Sequence, residues 1–176
     1  MRKSRKWLIT AAALLLVLGI GATIAYLVSS PATVRNTFTV GNVSITLQET
    51  TGTQYKLAPG VTLHKDPTVT VKAGSEACWL FVKVEKDPGL DGFCTYQLQG
   101  QWIPLPGHAD VYYQQVVKAN ANQNFGILTD NCVTVKDTVT EQQLGAMTAY
   151  PTLKFTAYAI QAESIATAAE AWQALD

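Results

Sequence analysis

Cys78-Trp79-Leu80-Phe81-Val82-Lys83-Val84-Glu85 reads as a β-strand whose first half is apolar on both faces. Successive side chains of a strand point to opposite sides. Leu80, Val82 and Val84 therefore share a face with Cys78, and Trp79 and Phe81 share the other. Asp87-Pro88-Gly89 stops the run, because proline and glycine favour a turn there.

Similar runs lie on both sides of it. Downstream, Pro151 opens a last strand in which Leu153, Phe155, Ala157 and Ala159 alternate with Lys154, Thr156, Tyr158 and Ile160. Upstream, Thr68-Val69-Thr70-Val71 alternates and ends at Ala73-Gly74, and Leu57-Ala58-Pro59-Gly60 is a turn. Residues 37–48 alternate as well, with Phe38 and Val40 in one phase and Val43, Ile45 and Leu47 in the other. The phase flips at Gly41-Asn42, which permits a bulge within one strand or a two-residue hairpin.

Residues 93–99 and 101–105 flank Gly100 and read as a short hairpin. Residues 111–118 are rich in Tyr and Val, which suits a pleated surface. Residues 125–128 and 132–136 read as short strands around Thr129-Asp130-Asn131. Thr140 and Gln143 have capping-box spacing, which predicts a short helix running to Met147. Beyond Glu163, the apolar residues Ile165, Ala168, Trp172 and Leu175 recur at helical spacing.

Many short strands separated by Gly and Pro indicate an all-β fold. The expected architecture is a jelly-roll-like antiparallel β-sandwich over residues 37–176, with one or two short accessory helices and an N-terminal signal helix. Arg2, Lys3, Arg5 and Lys6 precede an uncharged stretch from Trp7 to Val28. A basic start, an apolar core and then small residues make a secretory signal over residues 1–25. Thr23-Ile24-Ala25 places the cut between Ala25 and Tyr26, with Ser30-Pro31-Ala32 as the second choice. The rival reading is an uncleaved membrane anchor, since the run is just long enough to span a bilayer. Either way the expected site of action is outside the cytoplasm: secreted, in the extracellular matrix or at the cell surface.

The 176-residue chain has 13 basic and 13 acidic residues, but four of the basic ones lie in the leader and every acid lies beyond it. The remainder carries nine basic against thirteen acidic residues, a formal charge of −4. Its basic residues, Arg35 and eight scattered Lys, form no patch, which argues against nucleic-acid binding.

Cys78, Cys94 and Cys132 are too few for a disulfide scaffold, and no CxxC occurs. Strand phase predicts that Cys78 and Cys94 point inward and that Cys132 points outward. A Cys78–Cys94 bridge is the alternative to two buried thiols, although a tight hairpin near Gly89 would hold the pair out of register. A zinc protease needs two His one helical turn apart. His64 is followed by Lys65-Asp66-Pro67 and His108 by Ala109-Asp110-Val111, so neither qualifies. A Cys nucleophile needs a His base, and nothing along the chain sets one beside Cys132. Asp87-Pro88-Gly89-Leu90-Asp91-Gly92 lacks the oxygen-ligand spacing of a calcium loop and reads as a solvated turn. No catalytic arrangement, metal site or cofactor is expected.

Leu18-Gly19-Ile20-Gly21-Ala22-Thr23-Ile24-Ala25-Tyr26 begins an ordered set of segments. It continues through Asn36-Thr37-Phe38-Thr39-Val40-Gly41-Asn42-Val43-Ser44-Ile45-Thr46-Leu47, Leu57-Ala58-Pro59-Gly60 and Lys65-Asp66-Pro67-Thr68-Val69-Thr70-Val71. It ends with Leu153-Lys154-Phe155-Thr156-Ala157-Tyr158-Ala159-Ile160-Gln161-Ala162. The set resembles the TasA/camelysin family of secreted Gram-positive matrix proteins, exported with a SipW-type signal peptide. The resemblance implies a jelly-roll domain that builds extracellular biofilm-matrix or surface fibres. It implies as partners copies of the chain itself, other matrix proteins and a signal peptidase during export, with membrane contact only through the signal segment. This chain is shorter than the best-known matrix member and has three Cys that member does not use. Camelysin has been classed as a metalloprotease, but without a zinc motif that activity does not carry over.

The mechanism suggested by the resemblance is strand donation, in which a freed N-terminal segment pairs with an open sheet edge of the next copy. Such a contact is heterologous and propagates as a filament. The expected donor is the segment 26–40, loose from Tyr26 to Arg35 and β-prone at Phe38 and Val40. Two other classes compete. One is a monomeric secreted or surface-anchored binding module, with Trp79, Trp102, Tyr112 and Tyr113 as candidate contact residues. The other is a secreted enzyme of the camelysin-like metalloprotease kind.

Overall fold

The computed structural model describes residues 26–28, 38–40, 42–51, 54–147 and 151–175. Residues 1–25, the expected signal segment with Ala25 at its expected cut, and Arg35 lie outside the described residues. The first strands in order are β1 (Tyr26–Val28), β2 (Phe38–Val40), β3 (Ile45–Gln48), β4 (Gln54–Lys56), β5 (Thr62–His64) and β6 (Thr68–Val71). The long β7 (Cys78–Lys86) is followed by a one-turn helix α1 (Leu90–Phe93) and by β8 (Cys94–Thr95). Next come β9 (Ile103–Pro104), β10 (Val111–Val116), β11 (Gln123–Gly126), a 3-10 turn (Thr129–Asn131) and β12 (Cys132–Val135). Helix α2 (Glu141–Gly145), β13 (Leu153–Gln161) and helix α3 (Ala168–Gln173) complete the described elements.

The fold is mostly β, as the alternation predicts. A five-stranded sheet has the order β2-β13-β7-β10-β9. Two three-stranded sheets, β11-β6-β3 and β5-β12-β8, supply the facing layer, and β1 pairs with β4 in a separate two-stranded sheet. One face of β7 (Cys78, Leu80, Val82, Val84) joins Phe155, Ala157 and Ala159 of β13 in the main core. Ile45, Leu63, Val69, Val71, Val133 and Val135 enter the same core from the facing layer.

The other face of β7 has its own cover. Trp79 and Phe81 pack with Ile160, Val111, Leu105 and the helical residues Ala168, Ala171 and Trp172. The Trp172 ring lies 5.2 Å from Phe81 and 5.3 Å from Tyr158 between centroids. Trp79 Nε1 donates to the Ile165 carbonyl at 3.1 Å. The strand that is apolar on both sides is thus buried on both sides, by a β layer and by α3. The expected stripe Ile165, Ala168, Trp172 and Leu175 is the buried face of this C-terminal segment.

Several expectations are corrected. The five-stranded sheet is mixed, because β2 runs parallel to β13 while the other ladders are antiparallel. No short loop joins these two strands, so no hairpin imposes opposite directions. The phase flip in residues 37–48 is neither a bulge nor a hairpin: β2 belongs to one layer and β3 to the other. The segments around Gly100 do not pair with each other. Trp102 N–H donates to the Gln99 carbonyl at 3.0 Å, so the chain does turn there, yet β8 joins β12 and β9 joins β10. Residues 125–128 and 132–136 likewise part, β11 to β6 and β12 to β5 and β8. The expected solvated turn after β7 closes into α1, because Leu90 is buried there.

Candidate functional site

The pieces a strand-exchange mechanism needs are sheet edges. β13 pairs with β7 along its whole length but with β2 only at Tyr158, Ala159 and Ile160. Among the described residues no strand pairs with the outer edge of β13 over residues 153–157. Of the expected donor positions, Tyr26 begins β1, and Phe38 and Val40 bound β2. In this structure both strands pair within their own chain.

A second feature is an open groove of about 640 Å³. One wall is the segment 94–100, which continues β8 past its last ladder residue. Its inner side is held by Gln99 N–H donating to the Ile127 carbonyl at 2.9 Å, by Thr129 N–H donating to the Gln97 carbonyl at 2.9 Å, and by a bridge between Leu98 and Leu128. Tyr112 of β10 and Lys86 at the end of β7 face it, with Tyr96 alongside. The floor includes Trp102, whose Nε1 donates to the Gly126 carbonyl at 2.8 Å. The Gln99 amide packs close over Gly126, where a Cβ would stand 2.5 Å from Gln99 Nε2 and push that side chain aside.

Charge sits at one end of the groove. Lys86 Nζ donates to Asp91 Oδ2 at 2.5 Å, and Lys136 Nζ donates to the Asp91 carbonyl. The bond to Asp91 holds the Lys86 ammonium above its ordinary range. Burial raises the Tyr96 phenol, so it stays neutral and able to donate. The groove can therefore offer aromatic faces, amides and paired charges to an extended polar ligand.

The aromatic contact residues expected for a binding module are mostly spent on packing. Trp79 and Trp102 are buried, and Tyr113 is half-buried against Trp79 at 5.9 Å. Tyr112 alone of the four is half-buried and also lines the groove. Tyr96, which sequence reasoning did not single out, lines it too. Its signal lies in the alternation Cys94, Tyr96, Leu98, which puts Tyr96 on the face of a buried thiol, where it is only partly buried.

All three cysteines are free. Cys78 and Cys94 are buried as the strand phase predicts, and they lie in different layers, so no bridge forms. Burial pushes the Cys78 thiol up to about 11 and raises Cys94 as well, with Lys136 opposing the second shift. Cys132 is half-buried, and its thiol donates to the Thr129 carbonyl at 3.7 Å. The register of β5 and β12 sets His64 directly opposite Cys132. That neighbour, missing from any local reading of the chain, comes from a pairing between distant segments.

Lys65 and Asp66 were also missed. Lys65 is buried and bonds both carboxylate oxygens of Glu49 at 2.7 and 2.8 Å. Asp66 accepts from the backbone N–H groups of Thr50 and Thr51 at 2.8 and 3.0 Å, and from both hydroxyls. Together they clamp the loop after β3. No group of three or more metal-ligating side chains and no helix long and apolar enough to cross a membrane occur among the described residues. No family model, no curated protein and no solved structure matches the chain.

Proposed function

We propose that this chain is an extracellular structural subunit that joins copies of itself into fibres by exchange of its N-terminal strand. In this reading the domain is a jelly-roll variant, residues 1–25 direct export, and other matrix proteins share the fibre. The single observation that carries it is the edge of β13. Its outermost neighbour β2 is three residues long and parallel, and residues 153–157, paired with β7 on the inner side, have no strand on their outer edge among those described. An open edge offers backbone donors and acceptors to an incoming strand. The segment 26–40 of one copy, withdrawn from its own β13, would take the same place on the next. Because donor and acceptor surfaces differ, the contact is open-ended.

Removal of residues 26–35 tests this. The shortened protein is expected to stay folded by circular dichroism and to form no filaments in electron micrographs. Filaments in unchanged abundance would refute strand exchange.

The groove favours a second reading, a secreted module that binds an extended polar ligand such as a polysaccharide. Tyr112→Ala would then weaken retention of the monomer in a polysaccharide gel, whereas strand exchange predicts unchanged mobility for this variant.

A further inference from the structure

Residues 62–64 of β5 and 132–134 of β12 form a short antiparallel ladder with two distinct faces. Leu63 and Val133 point into the core at 7 % and 6 % exposure. The flanking residues point the other way. Thr62 and Thr134 mark that outer side, since their hydroxyls meet at 3.1 Å. His64 and Cys132 are the next cross-strand pair along it. Directly opposed residues on one face have Cβ atoms about 4.5–5.5 Å apart. The His64 ring is exposed, and Cys132 is the most accessible of the three thiols.

We infer that His64 and Cys132 form a two-residue binding site for a thiophilic divalent cation such as Zn²⁺. Zinc binds imidazole nitrogen at about 2.0 Å and thiolate sulfur at about 2.3 Å, with tetrahedral angles. The two donor atoms then need to lie about 3.5 Å apart, which this cross-strand spacing permits after side-chain rotation. The weak S–H bond from Cys132 to the Thr129 carbonyl, at 3.7 Å, is long enough to yield. On binding, the S–H bond breaks, the proton leaves to solvent, and a sulfur–metal bond forms. Neutral imidazole adds a nitrogen–metal bond. Two protein ligands leave two positions for water or for a donor from another molecule.

Cadmium is the probe, because its thiolate complexes absorb in the ultraviolet. Titration of the reduced, full chain with Cd²⁺ is expected to raise a thiolate-to-cadmium band that saturates at one ion per chain and is reversed by excess Zn²⁺. Cys132→Ser is expected to abolish the band, and His64→Ala to weaken binding at least about tenfold. Both residues lie on the outer face, and unchanged far-ultraviolet circular dichroism confirms that the variants fold. Zn²⁺ should also slow alkylation of Cys132 in the unaltered chain and much less in His64→Ala. The inference is overturned if no band appears, if the band survives Cys132→Ser, or if His64→Ala binds as tightly as the unaltered chain.

Discussion

Asp66 uses both carboxylate oxygens to hold the loop at Thr50 and Thr51. Burial works against its charge, but the four hydrogen bonds win and bring its pKa from 3.8 down to about 2. A carboxylate whose folded pKa is depressed stabilises the fold above its unfolded pKa, and that contribution fades as pH falls through the folded value. Asp66→Ala is therefore expected to lose about 1–2 kcal/mol in urea unfolding at neutral pH, as for charge-assisted bonds at a partly exposed site. The difference from the unaltered chain should shrink between about pH 4 and pH 2. A pH-independent difference would assign the loss to the backbone of the loop. Nothing local announces this clamp, because its partners lie 15 and 16 residues upstream. The cysteines divide differently. Inward phase was legible for Cys78 and Cys94, since alternation is a local property, whereas the His64 neighbour of Cys132 depends on register. Brief alkylation of the folded protein, read by mass spectrometry, is expected to label Cys132 first and to leave the two buried thiols unmodified.

Helix α3 is short, and its stability comes from tertiary packing and its cap. Thr167 Oγ1 accepts from the Glu170 N–H at 3.2 Å, and the Glu170 carboxylate accepts from the Thr167 N–H at 3.0 Å. Thr167→Ala should destabilise the protein by about 1 kcal/mol. Trp172→Ala should cost about 3–5 kcal/mol, because it empties the space between Phe81 and Tyr158. Chemical denaturation measures both; equal losses would mean that the ring is not an anchor. The matching cap at Thr140 was visible as spacing with Gln143, and both reciprocal bonds form. Strands were harder at one level only. Their phases were readable at β7 and β13 because a period of two is written into adjacent residues. Their partners were not. Gly100 marks a reversal, yet a reversal does not decide which sheet receives the next strand, and β8 and β9 enter different sheets. The flip at Gly41-Asn42 posed the same difficulty, since a change of layer looks like a bulge from within the chain.

Across the whole molecule, the layers are unequally held. β7 is bonded along both edges and buried on both faces, while the β1–β4 pair stands outside the larger sheets. Isolated two-stranded pairs are marginal in water. Amide exchange is accordingly expected to be slowest in β7 and β13 and fast in β1 and β4. Comparable protection in β1 would mean that the N-terminal strand is anchored too firmly to be exchanged. β7 also belongs to both apolar clusters, Leu80 and Val82 in one and Trp79 and Phe81 in the other. Neither cluster can melt without stripping a side of the strand on which the other is built. Scanning calorimetry should therefore record one endotherm with equal calorimetric and van't Hoff enthalpies, and the C-terminal helix should have no melting temperature of its own.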